Sequence, residues 1–262
     1  MLLQASSSFE MYAELPATSI FMLRSKSGTA QFIREEAFLT TPTVPVNEYL
    51  DGYGNICQRL IVPTGTFLLE SRVIAECSPT IDVDMNAGYT PVEMLPDNVL
   101  QFLLPSRYCE SDKVSTLASQ IINGLQPGYA QVEAIRAWVH AHFSRQYNTT
   151  NSSTSALDVL QTRTGVCRDF THVAMALCRN LDIPARMVVG YLYDLKPMDL
   201  HAWFEAYVGG RWYTFDPTMP EPVGGRIVMA YGRDAADVAF ASHFGQVWLR
   251  RMEVTVKEIE YV

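Results

Sequence analysis

Cys167, His201 and Asp216 are the side chains whose types could together do covalent chemistry in this sequence. A thiol becomes a strong nucleophile once it loses its proton, and an imidazole can take and return that proton near neutral pH. A carboxylate can hold the imidazole in one tautomer and stabilise it when charged. The question is whether the elements carrying these residues bring them to one place.

The cysteine lies in "TRTGVCRDFTHVAMALCRN", residues 162–180. Apolar residues recur there at Phe170, Val173, Ala174, Leu177, Cys178 and Leu181, which predicts an amphipathic helix with one buried stripe. The helix must stop before Pro184, and Thr164 with Gly165 is expected to supply the cap and a permissive backbone at its start. Cys167 then sits in or beside the first turn, where free N–H groups and the helix dipole favour a thiolate and could hold an oxyanion. A free cysteine is also a good core residue, as Cys178 on the apolar stripe illustrates, so helix position alone does not separate the two uses.

His201 and Asp216 lie in "LHAWFEAYVGGRWYTFDPT". Two alternating runs separated by Gly209-Gly210 predict a hairpin with a two-residue turn. Val208 should then face Arg211, Phe204 should face Phe215 and Trp203 should face Asp216. His201, Trp203, Glu205 and Tyr207 share one strand face, and Asp216 shares it from opposite Trp203. His201 and Asp216 become diagonal neighbours, roughly 7–8 Å apart between backbones. A slip of one residue would separate them to opposite faces. The other histidines have weaker claims: His172 lies round the helix from Cys167, His140 and His142 are on nearly opposite sides of a helix, and His243 has no evident partner.

These elements belong to a chain of 262 residues with 48% hydrophobic and 18% charged content, enough for one large domain or two ordinary ones. The formal charge of −8 speaks against nucleic acid and anionic membrane surfaces as partners. The first residues show neither a basic segment nor a continuous apolar one, so no signal peptide is expected, and no apolar run approaches the roughly 20 residues of a membrane span. Five cysteines, Cys57, Cys77, Cys109, Cys167 and Cys178, form no C-x-x-C pair, which fits free thiols in the cytosol and no structural zinc. Asp82, Asp84, Asn86 and Glu93 imitate calcium-loop spacing, but the glycine falls one place late at Gly88, and Pro79 and Pro91 interrupt the flanks. They are taken as a strand end and a loop, with no metal and no cofactor expected.

The first hundred residues are rich in β-branched and aromatic residues, with a tight turn at "DGYGN", Asp51 to Asn55. From Ser111 the pattern turns helical, through "KVSTLASQIINGL" and "AQVEAIRAWVHAHF", and Ser155 with Asp158 forms a capping-box signature before "ALDVLQ". Strand-like segments then run to "RMEVTVKEIEYV". The expected fold class is α+β: an N-terminal antiparallel β-sandwich-like domain, residues 1–108, and a domain of residues 109–262 in which helices pack on an antiparallel sheet.

Taken in order, "TGVCRDFTHVAMALCRNLDIPARMVVGY", "LHAWFEAYVGGRWYTFDPT" and "YGRDAADVAF" resemble the bacterial transglutaminase-like superfamily, whose members share a papain-like thiol site. The N-terminal "YLDGYGNICQRL" resembles the β domain that precedes this core in many bacterial members. The resemblance implies that Cys167 is the nucleophile, His201 the general base and acid, and Asp216 the residue orienting His201. It implies a thiol-dependent amide or peptide hydrolase, a cysteine protease acting through a thioester on a protein, peptide or amide substrate. Acyl transfer from a glutamine amide to an amine is the alternative, and a catalytically idle binding module the second. Arg168 stands where glutamine is frequent in the family, and "MPEPVGG" replaces a shorter turn. The N–H of Cys167 is the expected oxyanion donor, with a second sought upstream at Tyr147 or Trp138.

Overall fold

A computed structural model describes residues 1–28 and 30–260 of the chain. Six strands come first: β1 (Leu2–Ala13), β2 (Ala17–Phe21), β3 (Gln31–Thr41), β4 (Asn47–Leu50), β5 (Ile56–Val62) and β6 (Gly65–Cys77). Strict alternation makes β1 a half-buried strand: Leu3, Ala5, Ser7, Phe9, Met11 and Ala13 point inward and the residues between them are partly exposed. The turn expected at Asp51–Asn55 joins β4 to β5, with the Asp51 carboxylate accepting the Tyr53 and Asn55 N–H groups. Phe9, Phe21, Phe67 and Leu69 fill the core of this β unit.

Two strands from the far end of the chain complete the unit. β13 (Ala241–Phe244) pairs with β2, and β14 (Val247–Ile259) pairs with β1. The sheets run in the order β14-β1-β6-β3 and β13-β2-β5-β4. The pairing thus crosses the contiguous division at 108/109, and Ala87 crosses it the other way by packing into the helical core. The reason is physical: alternation reveals that a strand is half-buried, but not which sheet it joins. The last two residues of "RMEVTVKEIEYV" lie outside the described residues.

Between these strand sets, α1 (Asp97–Leu100), α2 (Ser115–Ile121), α3 (Tyr129–His142), α4 (Ala156–Thr162) and α5 (Cys167–Asn180) alternate with the short parallel pair β7 (Ser144–Arg145) and β8 (Thr164–Gly165). The capping box at α4 forms, with the Asp158 carboxylate accepting the Ser155 N–H at 2.9 Å. A third four-stranded sheet, in the order β11-β10-β9-β12, is built from β9 (Ala185–Leu192), β10 (His201–Val208), β11 (Arg211–Phe215) and β12 (Arg226–Gly232). Helix α5 differs from the single-stripe expectation, because Asp169 to Arg179 are all buried. It is the central helix, packed by α3 and α4 as well as by β9 and β10. Its polar residues are therefore satisfied one by one; the Arg179 guanidinium donates to the Ala185 and Leu104 carbonyls.

An edge strand offers unpaired backbone groups that invite further pairing. β12 is such an edge, and the β unit covers it with two side-chain amides. Gln31 Oε1 accepts the Val228 N–H at 2.6 Å and its Nε2 donates to the Val228 carbonyl at 2.8 Å. Asn55 does the same for Tyr231, at 2.8 Å in both directions. Each amide acts as one residue of a missing strand. Among the described residues, no helix is long and apolar enough to cross a membrane.

Candidate active site

Cys167 is the first residue of α5, so its N–H has no partner within the helix. The cap differs from the expected one. Val166 stands at the N-cap, and Asp169 in the first turn supplies the capping carboxylate, accepting the Val166 N–H at 2.9 Å. Gly165 is needed for space rather than for backbone freedom, since a Cβ there would lie 2.8 Å from Asp169 Oδ2. The Asp169 carboxylate is fully buried and also accepts from Thr150 Oγ1 at 2.7 Å and from Arg168 Nη2 at 2.7 Å. Arg168 is therefore committed to this carboxylate and to the Asn151 carbonyl. Cys167 is the one partly exposed cysteine; Cys57, Cys77, Cys109 and Cys178 are buried.

The hairpin has the register that its two glycines predict. Val208 pairs with Arg211, Glu205 with Thr214 and Phe204 with Phe215. Gly209 and Gly210 take φ values of 57° and 80°, the left-handed conformations of a type I′ turn. Opposite His201 on the other side lies Gly190, where a Cβ would meet the Ile227 carbonyl oxygen at 2.0 Å. A side chain at that position would push β12 away from β9.

That register delivers the expected contact. His201 Nε2 lies 2.7 Å from Asp216 Oδ2, with His201 and Asp216 only 1% and 4% exposed. Burial alone would push the imidazole down, but the Asp216 charge and hydrogen bond outweigh it, and the Cys167 sulfur adds to the effect, holding His201 up at about 9. Burial would push the Asp216 carboxyl up, and His201, Arg226 and Thr218 together hold it well below the usual carboxylate range. With Nε2 donating to Asp216, Nδ1 is the nitrogen left to exchange a proton, and it is buried without a hydrogen-bond partner. Such an arrangement can carry a proton between a thiol and a leaving group.

Two residues of this cluster escaped the sequence reading. Thr218 donates from N and Oγ1 to Asp216 Oδ1, at 2.9 and 2.6 Å. Its signal was the "DPT" run, a turn in which a hydroxyl two residues on can reach back to the carboxylate. Arg226 Nη2 donates to Asp216 Oδ2 at 2.8 Å. No local pattern marks Arg226, because it arrives from the next strand across a proline- and glycine-rich loop. That loop is the departure "MPEPVGG", and it is anchored: Arg136 Nη1 donates to the Met219 carbonyl at 2.6 Å and the Gly225 N–H to the Ser78 carbonyl at 2.8 Å.

Three of the other four histidines have structural partners. His172 stacks on Tyr108 and its Nε2 accepts the Ala235 N–H, His142 bonds the Trp138 carbonyl, and His243 bonds Ser19. Trp138 stacks with His142 and lies under the Arg163 guanidinium, while the Tyr147 hydroxyl accepts from Arg145. Asp82 pairs with Arg211, and Asp84 accepts the Asn86 N–H. A cavity of about 620 Å³ lies on the sheet near Trp203, Glu205 and Arg226, but neither Cys167 nor His201 lines it.

Residues 115–217, which include all three of Cys167, His201 and Asp216, match the family model of the transglutaminase-like superfamily. The solved structure of a protein described as a candidate cysteine protease from Cytophaga hutchinsonii superposes with a TM-score of 0.93 at 36% identity, covering 100% of this chain and 92% of that one. An uncharacterized protein of Mycobacterium leprae is 28% identical over 243 residues, covering 86% of each chain. An uncharacterized protein of Mycobacterium tuberculosis is 30% identical over 214 residues, covering 72% of this chain and 68% of its own.

Proposed function

Because this chain belongs to the transglutaminase-like superfamily, we propose that it is a thiol-dependent amide or peptide hydrolase, with Cys167 as nucleophile, His201 as general base and acid, and Asp216 as the residue that orients His201. The observation that carries this reading is the 2.7 Å contact between His201 Nε2 and Asp216 Oδ2, which leaves Nδ1 to serve a thiol at a helix N-terminus.

The Cys167 thiol gives its proton to Nδ1, and the sulfur attacks the amide carbon. The carbonyl oxygen gains the negative charge of a tetrahedral intermediate, facing the free N–H of Cys167 and the positive end of α5. The imidazolium returns the proton to the departing nitrogen, the C–N bond breaks and a thioester remains on Cys167. Water, losing a proton to His201 Nδ1, then attacks the thioester, and the imidazolium gives that proton to the departing sulfur, releasing the acid and the thiol. Asp216 stays ionised throughout. The substrate is a protein, a peptide or a small amide, and no cofactor enters these steps. Five free thiols fit work in a reducing cytosol.

The test is a panel of peptides, isopeptides and glutamine amides, assayed for new amine and for ammonia with and without an added primary amine. Hydrolysis predicts a released acid in both conditions. If the acyl group ends on the added amine, acyl transfer is the activity instead. If no substrate turns over and no acyl-enzyme forms on Cys167, the enzymatic reading fails and the binding-module alternative stands.

A further inference from the structure

We propose that Arg226 is a positioning residue of this site: its fixed charge lets His201 release its proton, and the β unit holds it in place. The inference rests on the proposed roles of His201 and Asp216. The Asp216 carboxylate accepts four hydrogen bonds, two at Oδ1 from Thr218, one at Oδ2 from His201 and one at Oδ2 from Arg226. Of the three partner residues, Thr218 and Arg226 cannot change charge during a turnover; His201 must. Each time the imidazole gives up its proton, a carboxylate that is 4% exposed would lose its only cation if His201 were the sole one. A buried and unpaired carboxylate is costly, so the proton would be held on the imidazole and the leaving nitrogen would go unprotonated. Arg226 remains charged at every stage and keeps Asp216 paired while His201 is neutral.

The surroundings show how the guanidinium is placed. Arg226 opens β12 and is itself 8% exposed. Its Nε donates to the Val223 carbonyl at 2.9 Å, and its guanidinium lies 4.8 Å from the Trp203 ring, which also stacks with His201. β12 has β9 on one side, and the β unit clamps its other edge through Gln31 at Val228. Just before Arg226, the Gly225 N–H bonds the Ser78 carbonyl, and a Cβ at Gly224 would lie 2.3 Å from Pro79. The β unit thus fixes the start of β12 to within the tolerance of a hydrogen bond. Other charged or titratable groups facing His201 are Cys167 from α5, Asp199 from the loop before β10, and Asp216 after β11. Arg145 acts on Asp199, and Arg226 is the cation that bonds the Asp216 carboxylate beside His201.

The experiment is a titration of the His201 imidazole by NMR in the wild type and in Arg226→Gln and Arg226→Lys, assigned by the loss of its signal in His201→Gln. Loss of the neighbouring cation should move the His201 midpoint in Arg226→Gln upward by about one pH unit. Arg226→Lys keeps the charge and should titrate within about half a pH unit of the wild type. In turnover assays, Arg226→Gln should lower kcat with little change in KM, and Arg226→Lys should restore much of it. A folded Arg226→Gln protein with an unmoved midpoint overturns the proposal. So does a lysine variant whose midpoint rises by a full pH unit, and this arm decides the matter if the glutamine variant fails to fold. The titration needs no substrate, so it stands or falls separately from the hydrolase reading.

Discussion

Cys167 and Cys178 stand on one helix, and their surroundings could hardly differ more. Cys167 opens α5 with a free N–H, partial exposure and an imidazole beside it. Cys178 sits inside the same helix with no exposure, and burial pushes its thiol well above the ordinary range. The residue type is constant, so the difference belongs to the helix end and to what the hairpin brings to it. Chemistry at one end and packing at the other predict opposite phenotypes. Cys167→Ala should lower amide turnover by at least about 10³-fold while leaving the melting temperature nearly unchanged. Cys178→Ala should keep kcat per folded molecule and lose about 1–2 kcal/mol of stability in denaturant titrations. If the two variants exchanged these outcomes, the assignment of roles along α5 would be wrong.

The same contrast should appear in how stability depends on pH, because the hairpin brings the buried His201–Asp216 pair to the Cys167 end of α5. The folded-state value of His201, about 9, is above its ordinary 6.5. Its contribution is therefore fully present below about pH 6.5 and is lost as pH rises through about 9. Asp216 has the opposite sign, being depressed: its contribution is present above about pH 4 and lost only in acid. Their shared maximum lies between these limits. From pH 6.5 to 9 the wild type should lose roughly 3 kcal/mol that His201→Gln does not lose. Parallel curves for the two proteins would show that the imidazole is not charged in the folded state.

How much of this was legible in the sequence depended on how far apart the partners lie along the chain. The β10–β11 hairpin was readable to the residue, because two glycines fix the turn and the turn fixes the register. Helix α5 and the position of Cys167 were readable from periodicity and from Pro184. Its cap was not, because a buried carboxylate at Asp169 does what Thr164 was expected to do. β14 was recognisable as a strand, but its partner β1 lies at the other end of the chain. Arg226, Gln31 and Asn55 left no local trace, since each acts on backbone or carboxylate groups delivered by a different element. The nucleophile and its base were thus written locally, and what steadies them was written in tertiary contacts.

Thiol labelling draws the line between the two ends of α5 more finely. At neutral pH, iodoacetamide should modify Cys167 in the folded protein and leave the four buried cysteines untouched. Exposure alone would produce that pattern, so the informative comparison is within one residue. Replacing the base in His201→Gln should slow alkylation of Cys167 about tenfold or more, with its exposure unchanged. An unchanged rate would mean that Cys167 is merely accessible.

The smallest effect is expected at Arg168, which stands next to the thiol in sequence. Proximity suggests a cation that attracts thiolate or selects substrate. The geometry suggests otherwise, because Nε and Nη2 both donate to Asp169 Oδ1, at 3.0 and 2.7 Å. The guanidinium side chain is 30% exposed, so solvent screens part of its charge, while the Asp169 side chain it serves is fully buried. Arg168→Ala should therefore cost about 1 kcal/mol of stability, by leaving a buried carboxylate short of a donor at the helix start. The rate of Cys167 alkylation, normalised to folded protein, should change by less than about threefold. A tenfold fall in that rate at unchanged stability would move Arg168 from the scaffold of α5 into the site itself, and the helix end would then hold two groups acting on the sulfur rather than one.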